Sequence, residues 1–133
     1  MVGERISGKP HMYLGREYSN DEIQEALQLT GQSFRKSENP MREAANMLYN
    51  GKILGWFQGR SELGPRALGN RSILADPRRP EMKDEINKKV KFREEFRPFA
   101  PSVLEERAMD LFDMESPSPF MTITYPVRSK WRE

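Results

Sequence analysis

Arginine and glycine alternate through the middle of this chain in a pattern suited to holding an anion. Within Gly59-Arg60-Ser61-Glu62-Leu63-Gly64-Pro65-Arg66-Ala67-Leu68-Gly69-Asn70-Arg71-Ser72, arginines fall at 60, 66 and 71 and glycines at 59, 64 and 69. Arginine supplies a planar, permanently charged fork that matches phosphate or carboxylate oxygens. Glycine lets backbone N–H groups approach a ligand closely. Pro65 stiffens the loop and lowers the entropy lost when a ligand orders it. Asn70 and Ser72 add neutral donors for phosphate or carbonyl oxygens, and Glu62 fits best as a brace for an arginine or as a magnesium contact. The alternative is a surface hairpin with solvated arginines, but an idle loop has little use for this alternation.

A second cationic stretch follows at Lys91-Phe92-Arg93-Glu94-Glu95-Phe96-Arg97-Pro98-Phe99-Ala100-Pro101. Lys91 and Arg93 are two apart, so in extended chain they point to one side. Phe92, Phe96 and Phe99 would anchor these cations on the core; the plainer alternative is a helix end with ordinary ion pairs. Two such clusters meeting at one cleft would stabilise the charge that develops in phosphoryl or acyl-phosphate chemistry. Arg66, Arg71, Lys91 and Arg93 are therefore the candidate catalytic cations. Arg60, Glu62, Asn70, Ser72 and Arg97 are the candidate substrate- or nucleotide-binding residues.

Other chemistries are poorly served. The chain has no cysteine, which excludes disulfides and thiolate catalysis. Its one histidine, His11, has no metal-ligand partners nearby in sequence and reads as a surface residue, so no resident metal is expected. No Ser-His-Asp arrangement, Walker A loop or G-x-G-x-x-G loop can be assembled. Net charge is only +2, which argues against a general nucleic-acid binder. No apolar run approaches the ~20 residues of a membrane span. Met1–Pro10 lacks the apolar stretch of a secretory signal, and the expectation is a cytoplasmic protein.

The elements that must position these residues can be read from caps and periodicity. The 133 residues suffice for one domain, although an apolar share of 36% against 32% charged predicts a large polar surface or part of something bigger. Residues 1–12 read as an irregular lead-in. Ser19-Asn20-Asp21 can cap a helix over Asp21–Leu29, with Ile23, Ala26, Leu27 and Thr30 on one face. Asn39-Pro40 starts a second helix to Asn50, burying Ala44, Ala45, Met47 and Leu48 and stopping at Gly51. Ile53–Phe57 and Ser72–Ala75 read as short strands flanking the arginine loop. Met82, Ile86 and Val90 recur every four residues and predict a helix over Glu81–Lys91. Further strands are expected at Phe99–Leu104 and Met121–Tyr125, with a helix from Leu104 to Asp113 between them. Alternating strands and helices argue for an α/β or α+β domain.

The run Gly55-Trp56-Phe57-Gln58 through Arg71-Ser72-Ile73-Leu74-Ala75-Asp76-Pro77-Arg78 closely resembles the C-terminal domain of the NodU/CmcH-type O-carbamoyltransferases. So do Ile86-Asn87-Lys88-Lys89-Val90-Lys91-Phe92-Arg93-Glu94 and Phe96-Arg97-Pro98-Phe99-Ala100-Pro101-Ser102-Val103-Leu104. Leu14-Gly15-Arg16-Glu17-Tyr18 resembles that domain's entry segment; the likeness spans about residues 13–125, and residues 13–133 read as a partial copy of the domain. The resemblance implies a YrdC-like fold, a twisted mixed sheet with flanking helices. It also implies use of carbamoyl phosphate and ATP with Mg2+ to form a carbamoyl-adenylate, passed to a hydroxyl of a sugar or secondary metabolite. Lys91-Phe92-Arg93 is similar to the Lys-x-Arg of YrdC proteins, whose cations bind ATP phosphates. Against the family's pattern the chain reads as truncated and by itself inactive. The kinase-like N-terminal carbamoyltransferase domain is a missing partner, and the family's His-x-Asp-Gly-Thr-x-Arg segment does not occur. The other reading is a YrdC-like RNA- or nucleotide-binding module without catalysis, in which Trp56, Phe92 and Phe96 stack on bases.

Overall fold

Ser19 starts the first helix. In the computed structural model, which describes residues 11–132, its hydroxyl accepts from the Glu22 N–H at 3.2 Å, and the Glu22 carboxylate accepts from the Ser19 N–H at 2.8 Å. This reciprocal capping box satisfies two backbone donors that the first turn leaves without partners. Helix α1 then runs Asn20–Leu29. The lead-in expected over residues 1–12 lies, up to residue 10, outside the described residues.

Helix α2 spans Pro40–Tyr49, with the Asn39 side chain accepting from the Arg42 N–H and Pro40 in the first turn. The chain turns out of it at Asn50 and Gly51. The apolar face is narrower than the sequence suggests: Ala44 and Leu48 are half-buried, whereas Ala45 and Met47 are exposed. The helix leans on strand β1 along one side only, so a single stripe is covered.

Strands β1 (Leu54–Phe57) and β2 (Arg71–Leu74) form an antiparallel pair, with Leu54 opposite Leu74 and Phe57 opposite Arg71. Along β1, Leu54 and Trp56 turn inward while Gly55 and Phe57 face out, the period of two expected of a half-covered strand. The hairpin places residues 58–70, nearly the whole arginine loop, at one end of the ladder.

The helix expected over Glu81–Lys91 divides in two. Helix α3 covers Met82–Ile86 and a π-helical turn covers Asn87–Lys91, closed by Phe92 in the left-handed region at φ 48°. Met82 and Ile86, four apart, are buried at 3% and 6% exposure. The wider π turn breaks the four-residue stripe, leaving Val90 37% exposed and bringing Asn87 inward.

Helix α4 (Glu105–Leu111) occupies the middle of the expected Leu104–Asp113 helix. Its carboxyl end is closed by Arg128, whose Nε donates to the Met109 and Phe112 carbonyls, and by Trp131, whose Nε1 donates to the Asp110 carbonyl. The segments expected as strands at Phe99–Leu104 and Met121–Tyr125 are irregular; the pairing nearest to them is a single bridge between Phe112 and Val127. An extended segment counts as a strand only when a partner accepts its hydrogen bonds, and neither stretch has a ladder among the described residues. The domain is nonetheless α+β, with four α-helices and one antiparallel strand pair among the described residues.

Little of the surface is hidden. The accessible area is 11716 Å2 for a 15.5 kDa chain, against roughly 7,200 Å2 for a monomeric protein of that mass. Hydrogen-bonded local units therefore do much of the work of holding residues in place.

Candidate functional site

The arginine loop is built around Glu62. Its Oε1 accepts from the backbone N–H groups of Leu68 at 2.8 Å, Asn70 at 2.7 Å and Arg71 at 3.3 Å. Three amides converging on one oxygen make an anion cradle, and the chain fills it with its own carboxylate. Burial acts to raise the Glu62 pKa, but N–H donation from Leu68, Asn70, Glu62 itself and Arg71 outweighs it and holds the group below the usual carboxylate range. Glu62 thus braces the loop backbone; no ion pair to an arginine is recorded for it among the described residues. At the turn's end Gly69 has φ +112°, a conformation open to glycine and strained for any other residue. Its N–H donates to Ser72 Oγ at 3.0 Å.

Arg71 holds the two sides of the loop together. Its Nη1 donates to the carbonyls of Gln58 at 2.5 Å and Asn70 at 3.1 Å, and its Nη2 donates to that of Gly59 at 3.1 Å. The guanidinium also lies 3.6 Å from the centroid of the Phe57 ring, its cross-strand neighbour. Asn70 adds a tie of its own: Nδ2 donates to the Arg60 carbonyl at 2.7 Å, and Oδ1 accepts from Gln58 Nε2 at 3.2 Å.

Segment 12–16 supports the loop from outside. Leu63 N–H donates to the Met12 carbonyl, Gly15 N–H to that of Ser61, and Ser61 N–H to that of Arg16. Tyr13 Oη donates to the Leu68 carbonyl at 2.9 Å. Gly15 is required by closeness, since a Cβ there would sit 2.7 Å from Ser61 Cβ and 2.9 Å from Ser61 O. Arg60 reaches back to the same strap, donating to the Gly15 carbonyl at 3.2 Å and lying 3.7 Å from the Glu17 carboxylate.

Arg66 differs from these. It is exposed at the loop tip and has no hydrogen bond, ion pair or ring contact among the described residues. Lys91 in the second stretch is likewise exposed and without a partner there.

The second stretch is organised by Asn87, which is wholly buried. Its Nδ2 donates to the carbonyls of Glu95 at 3.3 Å and Arg97 at 3.0 Å, while its Oδ1 accepts from Arg93 Nε at 2.7 Å. The Arg93 N–H also donates to the Asn87 carbonyl. Arg93 stacks 4.8 Å from the Phe99 ring centroid. Arg97 pairs with Glu94 at 2.9 Å. Phe92 and Phe96 are 84% and 79% exposed, so of the three phenylalanines it is Phe99 that braces a cation.

The structure thus gathers Arg60, Glu62, Asn70, Arg71 and Ser72 into one hairpin unit and Arg93 and Arg97 into another. No hydrogen bond or ion pair among the described residues joins the two. Two surface cavities, of about 560 and 320 Å3, lie beside α4 and between α2 and the end of β2; none of the candidate residues lines either. Asn87 and Tyr13 were not singled out by the sequence reading. A carboxamide directly after Ile86, on the buried side of an apolar stripe, is the signal that could have found Asn87.

Just past β2, Asp76 is buried and accepts from the Arg78 backbone N–H at 3.0 Å and from Arg78 Nε and Nη2 at 2.9 and 2.5 Å. The Arg78 guanidinium, then its backbone N–H, hold the carboxyl at about 2, below its ordinary 3.8. A depressed folded-state pKa stabilises the fold above the unfolded value, and that support is lost as pH falls from about 3.8 through about 2. Carboxyl-detected NMR should place the Asp76 titration near 2, and Asp76→Asn should abolish the acid sensitivity of the Arg78 turn in that interval.

Comparison with known proteins gives the family. The family model described as "Carbamoyltransferase C-terminus" matches residues 45–133, and the chain belongs to that family. Nodulation protein NolO of Bradyrhizobium diazoefficiens is 48% identical over 126 residues, covering 90% of this chain and 23% of its own length. A nodulation protein U of Sinorhizobium fredii is 50% identical over 91 residues, covering 68% of this chain and 16% of its own. An uncharacterised protein of Synechocystis sp. is 44% identical over 140 residues, covering 99% and 23%. The chain spans at most about a quarter of the length of these relatives. Among the described residues no helix is long and apolar enough to cross a membrane, and no group of three or more His, Asp or Glu stands ready to hold a metal ion.

Proposed function

We propose that this chain is the anion-handling part of an ATP-dependent O-carbamoyltransferase, binding carbamoyl phosphate and the phosphates of Mg2+-ATP so that an activated carbamoyl group can be passed to a hydroxyl acceptor. Family membership supports the carbamoyl chemistry. The observation that carries the phosphate reading is the division of labour among the cations. Arg60, Arg71, Arg78 and Arg97 are engaged within the fold, whereas Arg66 and Lys91 stand exposed and, among the described residues, without partners inside the two motifs. Bringing two anionic substrates together is opposed by their mutual repulsion, and fixed cations offset it while holding the reacting groups in place.

Calorimetric titration with carbamoyl phosphate, and separately with Mg2+-ATP, tests this reading. Arg66→Ala and Lys91→Ala should each weaken binding by about 1–3 kcal/mol, the size of a lost charge-assisted contact. Unchanged affinity in both variants would end the assignment. Exposed Phe92 and Phe96 beside these cations also suit base stacking, so a single-stranded oligonucleotide belongs in the same series. Tight oligonucleotide binding that falls steeply with salt would favour a nucleic-acid module instead.

A further inference from the structure

We propose that Asn87 is a positioning residue that aims the Arg93 guanidinium as a two-pronged fork at a substrate oxyanion, an inference that rests on the phosphate-binding reading above. A fully buried polar side chain needs partners for all of its hydrogen-bonding groups. Asn87 finds them in two directions at once. Its Nδ2 donates to the Glu95 and Arg97 carbonyls and so closes the turn that follows Phe92. Its Oδ1 accepts from Arg93 Nε, and the ring of Phe99 lies 4.8 Å from the guanidinium carbon.

These contacts define a plane and an edge. Nε fixes the near edge of the guanidinium, the phenyl ring fixes one face, and Nη1 and Nη2 carry no hydrogen bond among the described residues. That remaining edge presents parallel N–H groups at the spacing of two oxygens of a phosphate or carboxylate. Arg71 makes the opposite arrangement, with both Nη atoms donating to loop carbonyls. The two arginines, alike in sequence, therefore have different duties, and Asn87 sets one of them.

The backbone around Asn87 is shaped to the same end. The π turn brings Asn87 inward, and Phe92 holds φ 48°, rare for a bulky non-glycine residue, as the chain doubles back. The Arg93 N–H then returns to the Asn87 carbonyl. One residue thereby anchors both the main chain and the side chain of Arg93.

The test is a double-mutant cycle on the full chain, read by titration with Mg2+-ATP and carbamoyl phosphate, together with exchange of the Arg93 Nε–H by nitrogen-15 NMR. Asn87→Ala should abolish the slow exchange of that proton and weaken anion binding about tenfold. Arg93→Lys, which keeps the charge and leaves the Asn87 carbonyl ties intact, should weaken it comparably with an unchanged far-ultraviolet spectrum. The double variant should bind no more weakly than Arg93→Lys alone, because both changes remove the same fork. Additive losses would mean that Asn87 supports the fold without acting through Arg93, and would overturn the inference. If Asn87→Ala does not fold, Arg93→Lys decides: affinity equal to that of the parent chain overturns the fork. Loss of binding in Lys91→Ala with none in Asn87→Ala or Arg93→Lys sinks this inference alone. A parent chain that binds neither anion removes the proposed function and the fork's ligand together.

Discussion

Glu62→Ala should release the hairpin loop while β1 and β2 remain paired. The Leu68, Asn70 and Arg71 amides all point at Glu62 Oε1, and alanine leaves them facing each other with no acceptor. The expected loss is about 1.5–3 kcal/mol, the range for hydrogen bonds to a charged group, which corresponds to roughly ten- to a hundredfold faster amide exchange. Exchange should accelerate at those three residues and much less at Trp56 and Ser72 within the ladder. Anion binding should fall with it, because Arg66 is carried on the same loop. Glu62→Gln keeps the acceptor oxygen but not the charge, so it should fall between the parent chain and alanine. Acid should mimic the substitution: the Glu62 pKa lies below its ordinary value, so its support is complete above the unfolded pKa and disappears as pH drops through the folded one. Uniform exchange rates across the parent chain, Glu62→Ala and Glu62→Gln, at every pH, would refute the cradle.

Arg71→Lys should disable the loop even though charge is conserved. A lysine ammonium cannot span the Gln58, Gly59 and Asn70 carbonyls while lying flat on Phe57, as the guanidinium does. A loss of about 1.5–3 kcal/mol is expected, from the charged hydrogen bonds and the ring contact together. The matching change at the loop tip, Arg66→Lys, should alter stability by less than about 0.5 kcal/mol, as for surface positions without partners. Thermal melts and exchange of the Gly59 and Asn70 amides distinguish the two. Equal stability of both variants would show that the guanidinium of Arg71 is dispensable to the fold.

The parts of the fold that were readable in sequence are those decided by neighbours along the chain. Ser19-Asn20-Asp21, and Asn39 with Pro40, announce their helices because a cap depends only on residues within a turn along the chain. The two strands of the hairpin were readable for a similar reason, being short apolar runs on either side of one glycine-rich loop. The stretches at Phe99–Leu104 and Met121–Tyr125 have strand-like composition, but a strand is defined by a partner that composition does not name. The break at Asn87 escaped because a four-residue stripe continues through Val90 on paper, while the π turn that interrupts it exists to bury a carboxamide. At the candidate site the sequence singles out residue types and leaves their individual contacts unresolved. Arg60, Arg66 and Arg71 look interchangeable until carbonyl positions are known, and those positions are tertiary facts.

Glu62 fills its own cradle, so the shape of the hairpin is held by groups of the chain itself. An incoming anion would meet an assembled loop rather than one that must close around it. Capture should therefore proceed in one kinetic step, with an observed rate rising in proportion to ligand concentration, and ionic strength should alter the speed of encounter while leaving the loop's conformation as it was.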